Sequence, residues 1–370
     1  MLLPESMGAE AIDEATATVL AAAESDPSRQ HADADLLLHS LQVDADAARP
    51  RETERPPRPQ VPLSHVALFL TDRCDLRCIY CYERERLPDH RTDMTTETAE
   101  LAVDWLFAQS GAEREVGISF FGGEPLLNLD ALQAAARRAE ALARQTGKSL
   151  RLGMTTNGTH LDDRALDLVV GHGIETVVSL DGSREVHDRQ RPRADGRGSY
   201  DEVAANARRL LEVHPDTVCR ATVMPGGDAM AVKQALTEIG FSRVLVSVAS
   251  LPPGDLDGDA ADEWGAALAL DDLESEARAV EDAVTHRDTE ALRQLRGSSR
   301  FLALLEQYAT ASKRHTHCGA GRGLAAVTTS GDVYPCQRFV YEPAYRMGTL
   351  TSGRPDRSVF HPCLQTADAA

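Results

Sequence analysis

The chain has 370 residues, enough for one main domain with attachments, and its hydrophobic fraction of 42% is ordinary for a globular protein. Its formal net charge is −19. The negative charge excludes nucleic acid as a main partner, because phosphate binding relies on clustered lysine and arginine. No apolar run could span a membrane and no signal peptide is recognised, so with its seven cysteines we expect a cytoplasmic protein without a membrane partner.

Residues 1–62 are predicted to form a helical N-terminal extension with a linker. The alanine-rich stretch 9–23 and the leucine-bearing stretch 32–41 favour two helices, whereas residues 49–62 carry repeated prolines and charges that cannot pack well. The extension is expected either to pack on the main domain or to contact a partner.

Residues 63–250 alternate between strand-like apolar runs and helical segments. The strands are predicted at 65–70, 116–121, 150–155, 176–180, 218–224 and 244–248, and the helices at 95–109, 129–145, 162–170, 199–213 and 229–239. This order predicts an α/β fold with a parallel sheet, either doubly wound or a partial barrel. In both architectures the active residues collect at the C-terminal ends of the strands.

Three cysteines follow the first strand in a C-x3-C-x2-C loop: Cys74, Cys78 and Cys81. A [4Fe–4S] cluster normally takes four cysteine ligands, so three would leave one iron with an open position for chemistry. Tyr80 brings an aromatic ring beside such a cluster. A zinc site would need paired C-x2-C elements or histidines, which Cys74 does not fit.

This loop resembles the signature loop of radical SAM enzymes. The resemblance implies that Cys74, Cys78 and Cys81 are the catalytic ligands of a [4Fe–4S] cluster whose open iron chelates S-adenosylmethionine. It also implies that an electron from the cluster cleaves this cofactor to a 5′-deoxyadenosyl radical, and that a ferredoxin or flavodoxin supplies the electron. The protein is accordingly expected to be an oxidoreductase.

The second strand ends in Gly122, Gly123 and Glu124. The two glycines allow the backbone to approach a ligand closely, and the glutamate offers acceptors. The segment resembles the GGE motif of radical SAM enzymes, which implies that it holds the methionyl amino group of S-adenosylmethionine.

The third and fourth strands also end in polar residues. Asn157 follows the third strand, Ser179 lies at the end of the fourth, and Arg191 comes after it. These segments resemble radical SAM enzymes that act on peptides, which implies that Ser179 and Arg191 bind the carboxylate and ribose of S-adenosylmethionine and that Asn157 lies nearby; a guanidinium can pair bidentately with a carboxylate. For Asp181, His187 and Asp188 a structural and a functional role remain open.

Residues 251–317 are predicted to be an acidic loop and a helical bridge, and residues 318–370 a separate element. A turn at Ser330-Gly331-Asp332 between apolar runs predicts a β-hairpin, with Cys318 before it and Cys336 after it. This pattern resembles the opening of the SPASM domain, the auxiliary-cluster extension of peptide-modifying radical SAM enzymes. A full SPASM domain has more cysteines, whereas here only Cys363 follows. Two expectations remain: one auxiliary cluster held by Cys318, Cys336 and Cys363, or a truncated domain with none.

Gln337 follows Cys336, where sulfatase-maturating enzymes carry an aspartate proposed as a base. The surrounding segment looks closer to the maturases of six-cysteine (SCIFF) peptides and of quinohemoprotein amine dehydrogenase. We therefore predict a partial (β/α)6 TIM-like radical SAM barrel with a small SPASM/twitch-like β-hairpin extension that forms a thioether in a ribosomally synthesised precursor peptide. The alternatives are a carbon–carbon cross-link, formylglycine formation in a sulfatase, or a degenerate iron–sulfur protein without turnover.

Overall fold

The computed structural model describes residues 61–83, 86, 88, 91–224, 226–249, 276–289, 291, 319–350 and 355. These residues belong to two compact units. The smaller unit contributes residues 276–289 and 291, which are helical over 276–285, and the larger contributes the remaining described residues. The predicted helices of the N-terminal extension, the acidic loop, Cys318 and Cys363 lie outside the described residues, and the division of the chain into the four segments 1–62, 63–250, 251–317 and 318–370 stays a prediction.

The larger unit alternates strands and helices in the predicted order. The strands are β1 His65–Thr71, β2 Glu115–Gly122, β3 Ser149–Thr156, β4 Glu175–Ser179, β5 Val218–Val223, β6 Arg243–Val248, β7 Leu324–Val327, β8 Asp332–Tyr334 and β9 Gly348–Thr349. The helices are α1 Thr96–Gln109, α2 Leu129–Thr146, α3 Asp163–Gly171, α4 Arg184–Gln190, α5 Tyr200–Val213 and α6 Ala229–Ile239. The short helix α4 is not among the sequence predictions.

All the strands lie in one sheet, in the order β6-β5-β4-β3-β2-β1-β7-β8-β9. Strands β1 to β7 all pair in parallel with their neighbours in this order. The pairs β7–β8 and β8–β9 at the end of the sheet are antiparallel. The predicted α/β class, the parallel partial barrel and the C-terminal hairpin are confirmed. The hairpin continues the sheet itself, because β7 pairs with β1 from His65 opposite Leu324 to Leu68 opposite Val327.

Strand β1 is apolar between its end residues His65 and Thr71, as is typical of a strand whose two faces are both covered. Leu68 and Leu70 belong to the main core, which they share with residues of α1 and α2. Ala67 and Phe69 belong to a second buried cluster, together with Ala326 of β7. The start of the cysteine loop is therefore anchored to a strand in the middle of the sheet.

Asn128 joins the start of α2 to the end of β1. Its side-chain oxygen accepts a hydrogen bond from the Ala131 N–H at 3.3 Å and so caps the helix. Its amide group donates to the carbonyls of Leu70 at 2.7 Å and Met94 at 2.9 Å. One side chain thus fixes both a helix start and the strand that precedes the cysteine loop.

Cys219 is the cysteine of strand β5. Its side chain is fully buried in the main core on β5, with Ala221 and Val223. Among the helices that the structure describes, none has the length and apolar character needed to cross a membrane.

Candidate active site

The cysteine loop lies directly on the turn that follows β2. The Gly123 N–H donates to the Thr71 carbonyl and the Glu124 N–H to the Arg73 carbonyl, both at 2.9 Å. A Cβ atom on Gly122 would lie 2.4 Å from the Thr71 oxygen, and one on Gly123 would lie 2.3 Å from the Arg73 oxygen. Both glycines are therefore required by the backbone of the cysteine loop, and the close approach of a ligand that the sequence suggests for them stays a prediction.

Glu124 ties the end of β2 to the end of β3. Its carboxylate is 1% exposed and accepts hydrogen bonds from the Thr156 hydroxyl at 2.7 Å, the Asn157 N–H at 2.7 Å and the Leu126 N–H at 3.1 Å. Burial raises the pKa of Glu124 to about 7, and these three donors oppose that rise. Both oxygens have donors from the protein, and the predicted role in holding an amino group stays a prediction.

Asn157 connects the end of β3 to the first cysteine. Its amide nitrogen lies 2.9 Å from Asp75 Oδ1 and 3.8 Å from Cys74 Sγ. Burial of Asp75 disfavours its charged form, yet hydrogen bonds from His160, Asn157 and Thr159 hold its pKa at about 2. A charged Asp75 therefore fixes the amide that faces the Cys74 sulfur.

Besides the hydrogen bonds of Asn157 near Cys74, a second hydrogen-bonded frame surrounds Cys78. It is centred on the buried carboxylate of Asp181, which is 0% exposed. This carboxylate accepts hydrogen bonds from the Tyr80 hydroxyl, Gln190 Nε2 at 2.8 Å, Arg191 Nε at 2.9 Å and the Thr222 N–H at 2.8 Å. Burial opposes ionisation, but the Arg191 guanidinium lowers the pKa of Asp181.

Arg191 is oriented by this carboxylate toward the cysteine loop. One of its terminal nitrogens lies 3.9 Å from Cys78 Sγ, and its guanidinium carbon lies 5.4 Å from the centre of the Tyr80 ring. The aromatic ring predicted beside the cluster therefore helps to position the arginine. The predicted contact of Arg191 with a cofactor carboxylate or ribose stays a prediction.

His187 and Asp188 support this frame from outside. The buried His187 ring accepts from the Asp181 N–H at 3.3 Å and lies 2.9 Å from the Ser199 hydroxyl. Asp188 accepts from the N–H groups of Ser199 and Tyr200 at 2.8 Å, where α5 begins. Of the three residues left open by the sequence, only Asp181 contacts the side chains beside the cysteines.

The remaining predicted site residues lie in different environments. Cys74 and Cys78 are half-buried and Cys81 is exposed. Ser179 is buried at the last position of β4, at the same end of the sheet as the cysteine loop. Cys336 is buried in the main core, and its predicted role as a ligand of an auxiliary cluster stays a prediction.

The donor set of the loop fits an iron–sulfur cluster. Two of the three cysteine sulfurs have an N–H donor from Asn157 or Arg191 within 4 Å, as suits thiolate ligands. Among the described residues no three His, Cys, Asp or Glu side chains converge on a single metal ion. A cluster does not need such convergence, because each of its cysteines binds a different iron.

Sequence reasoning missed three contributors to this site: Asp72, Asp75 and His160. Asp75 accepts hydrogen bonds from the Asn157 amide and from an Arg193 nitrogen at 3.3 Å, and the His160 ring nitrogen lies 3.6 Å from its carboxylate. The acidic residues next to Cys74 in the sequence were the available signal, but their partners lie far along the chain.

Comparison with known proteins identifies the domain. Residues 68–251 match the family model of the Radical SAM superfamily. A GTP 3′,8-cyclase of Erythrobacter litoralis is 28% identical over 74% of this chain and 79% of its own. A serine-type anaerobic sulfatase-maturating enzyme of Klebsiella aerogenes is 28% identical over 43% of this chain and 39% of its own. The chain spans less than half the length of other curated relatives, 45% of an uncharacterized Methanocaldococcus jannaschii protein and 30% of a probable GTP 3′,8-cyclase of Halobacterium salinarum.

Solved structures share the fold. Native anSMEcpe with bound AdoMet and Cp18Cys peptide has a TM-score of 0.60 at 19% identity, over 79% of this chain and 78% of its own. Streptococcus suis SuiB bound to precursor peptide SuiA has a TM-score of 0.51 at 17% identity, over 81% of this chain and 64% of its own. This likeness shows the shared fold, and the family match over residues 68–251 confirms the prediction that the chain carries a radical SAM domain, from a superfamily of enzymes that bind a [4Fe–4S] cluster and S-adenosylmethionine.

Proposed function

We propose that this protein is a radical SAM maturase that modifies a ribosomally synthesised peptide. The observation that carries the proposal is the sheet order, because β7 joins the barrel directly beside β1 and its cysteine loop. The likeness in fold to anSMEcpe and SuiB, both solved with peptides bound, covers more of the chain than the radical SAM domain alone. This supports a peptide as the substrate.

In this proposal the chain's own residues bind and orient the reacting groups. Cys74, Cys78 and Cys81 hold the cluster, while Asn157 and Arg191 direct N–H groups at two of the sulfurs. The bound cluster and S-adenosylmethionine supply a radical able to abstract hydrogen, and the protein supplies orientation and exclusion of water. A ferredoxin or flavodoxin is the proposed reductant.

A thioether is the proposed product. Gln337, next to Cys336 at the start of a short 3-10 helix, has no ionisable group and cannot serve as the base that an aspartate would provide there. A carbon–carbon cross-link is the alternative on the same peptide. Formylglycine formation is supported by the sulfatase-maturating relative, and a degenerate protein without turnover is the remaining alternative.

A nucleotide substrate is the second candidate function. The alignment with the Erythrobacter litoralis GTP 3′,8-cyclase covers 79% of that enzyme, against 39% of the sulfatase-maturating relative. This longer match favours a nucleotide, whereas the peptide-bound solved structures favour a peptide.

Anaerobic reconstitution separates these candidates. The reduced protein is incubated with S-adenosylmethionine alone, with GTP, and with peptides encoded beside its gene, and 5′-deoxyadenosine and substrate mass are measured. A peptide whose mass falls by two hydrogens and whose number of free thiols falls by one supports the thioether. Consumption of GTP favours the second candidate. Cys74→Ala should abolish 5′-deoxyadenosine formation, and Cys219→Ala, which alters a thiol in the core, should not. No 5′-deoxyadenosine from the wild-type protein would overturn the enzymatic proposal.

A further inference from the structure

Asp72 is a buried carboxylate at the beginning of the cysteine loop, two residues before Cys74. Its side chain is 0% exposed, and no lysine or arginine side chain among the described residues forms an ion pair with it. Its carboxylate accepts hydrogen bonds from the Thr92 N–H at 3.2 Å, the Thr92 hydroxyl at 3.0 Å, the Thr329 hydroxyl at 3.2 Å and the Tyr341 hydroxyl. Neutral hydrogen-bond donors therefore stabilise a carboxylate that is shielded from solvent.

Two of these donors belong to the C-terminal hairpin region, more than 250 residues away along the chain. Thr329 lies in the turn between β7 and β8, and Tyr341 follows β8. The two hydroxyls approach different oxygens of the Asp72 carboxylate. The hairpin region thus contacts the cysteine loop through side chains in addition to the backbone pairing of β7 with β1.

Tyr341 adopts a backbone conformation that bulky residues rarely accept. Its φ is +65°, in the left-handed region, where a tyrosine is a clear outlier. Such strain persists only where surrounding contacts enforce it. Here the contacts are the hydroxyl on Asp72 and the packing of the ring against the buried cluster that contains Phe69 and Val340.

We propose that Thr329 and Tyr341 are positioning residues, which hold Asp72 and thereby fix the start of the cysteine loop. We call Asp72, Thr92, Thr329 and Tyr341 the loop clamp. The inference deepens the proposed function, since it rests on this loop holding the cluster. It gives the C-terminal region a role in the radical SAM site that is independent of any auxiliary cluster.

The test uses single-hydroxyl variants of the full-length chain. Tyr341→Phe and Thr329→Val each remove one donor to Asp72, and Tyr345→Phe removes the hydroxyl of an exposed tyrosine in the same region. Hydrogen–deuterium exchange is followed by mass spectrometry in peptides that cover residues 72–81, before and after reconstitution of the cluster. We expect about tenfold faster exchange of the loop amides in Tyr341→Phe, a smaller effect in Thr329→Val, and unchanged exchange in Tyr345→Phe and in helix α2.

A spectroscopic measurement distinguishes positioning from general stabilisation. The EPR spectrum of the reduced cluster is recorded with and without S-adenosylmethionine, and we expect Tyr341→Phe to broaden or shift the signal while Tyr345→Phe does not. If Tyr341→Phe fails to fold, Thr329→Val decides by the same two measurements. Loop exchange and spectra identical to wild type would overturn the clamp. Because exchange is measured without turnover, that outcome is distinguishable from a failure of the proposed activity.

Discussion

At the scale of single residues, the site depends on buried carboxylates that orient polar groups beside the cysteines. Glu124, Asp181 and Asp72 are each at most 1% exposed, and each accepts at least three hydrogen bonds. Removing such an acceptor leaves its donors buried without partners, which costs more than the hydrogen bonds contributed. We therefore expect these carboxylates to contribute to stability as well as to geometry.

The substitution Asp181→Asn tests this expectation. It keeps the size of the side chain but leaves the buried Arg191 guanidinium without its counter-charge, so we expect a loss of about 3 kcal/mol or more in the free energy of unfolding. The control is Asp201→Asn, which breaks an ion pair with Arg184 whose side chains are 72% and 51% exposed; it should cost no more than about 1 kcal/mol. Urea unfolding of both variants measures the difference, and equal losses would contradict the role given to burial.

His187 predicts how stability depends on pH. Burial, aided by the charge of Arg191, lowers the pKa of its ring from 6.5 to about 4. Because the unfolded chain binds this proton at higher pH, the stabilisation is complete above pH 6.5 and is lost as the pH falls toward 4, by about 3 kcal/mol in total. Urea unfolding between pH 7.5 and 4 should show this loss, and His187→Gln should flatten the profile. An unchanged slope in the variant would rule out His187 as its source.

At the scale of the element, Asn128 and Thr95 form a matched pair of helix caps. Asn128 caps α2 and also donates to two carbonyls near the cysteine loop, whereas Thr95 caps α1 through the Thr98 N–H. We expect Thr95→Ala to cost about 1 kcal/mol in the free energy of unfolding. Asn128→Ala should cost about 2–4 kcal/mol, because it also removes the amide donor from the buried carbonyls of Leu70 and Met94, of which the Leu70 carbonyl keeps a hydrogen bond from the Met94 N–H. Equal costs in denaturant unfolding would show that the two extra hydrogen bonds contribute nothing.

The elements of the barrel were predictable from the sequence because their signals are local. Each of β1 to β6 is an apolar run bounded by turn residues, and the structure shifts their ends by no more than two residues. Helix α4 was missed because its sequence, REVHDRQ, has a single apolar residue and thus no period. The pairing of β7 with β1 was missed for another reason: about 260 residues separate the partners, and no local pattern records which strand a distant segment will join.

The same distinction applies to the site. The cysteines, the glycine turn and the polar strand ends could be found from the sequence because a few consecutive residues are enough to indicate the chemistry of each. The roles of Asp72 and Asp75 depend on partners such as Tyr341, Thr329 and Asn157, which reach them only after the sheet has formed. Spacing identifies the residues that hold a cofactor, but the residues that orient them emerge from tertiary contacts.

At the scale of the whole molecule, the number of clusters decides between the two expectations for the C-terminal region. The triple variant Cys74→Ala, Cys78→Ala, Cys81→Ala removes the radical SAM ligands and leaves Cys318, Cys336 and Cys363 in place. A [4Fe–4S] cluster contributes four irons, so the reconstituted wild-type chain should contain about 4 irons and the triple variant about 0 if the domain is truncated. With one auxiliary cluster the values become about 8 and about 4.

We expect the iron contents of a truncated domain, about 4 in the wild-type chain and about 0 in the triple variant, because Cys336 is buried in the apolar core. Iron analysis with and without Cys336→Ala provides the check: a loss of about 4 irons on that substitution would instead identify Cys336 as a ligand.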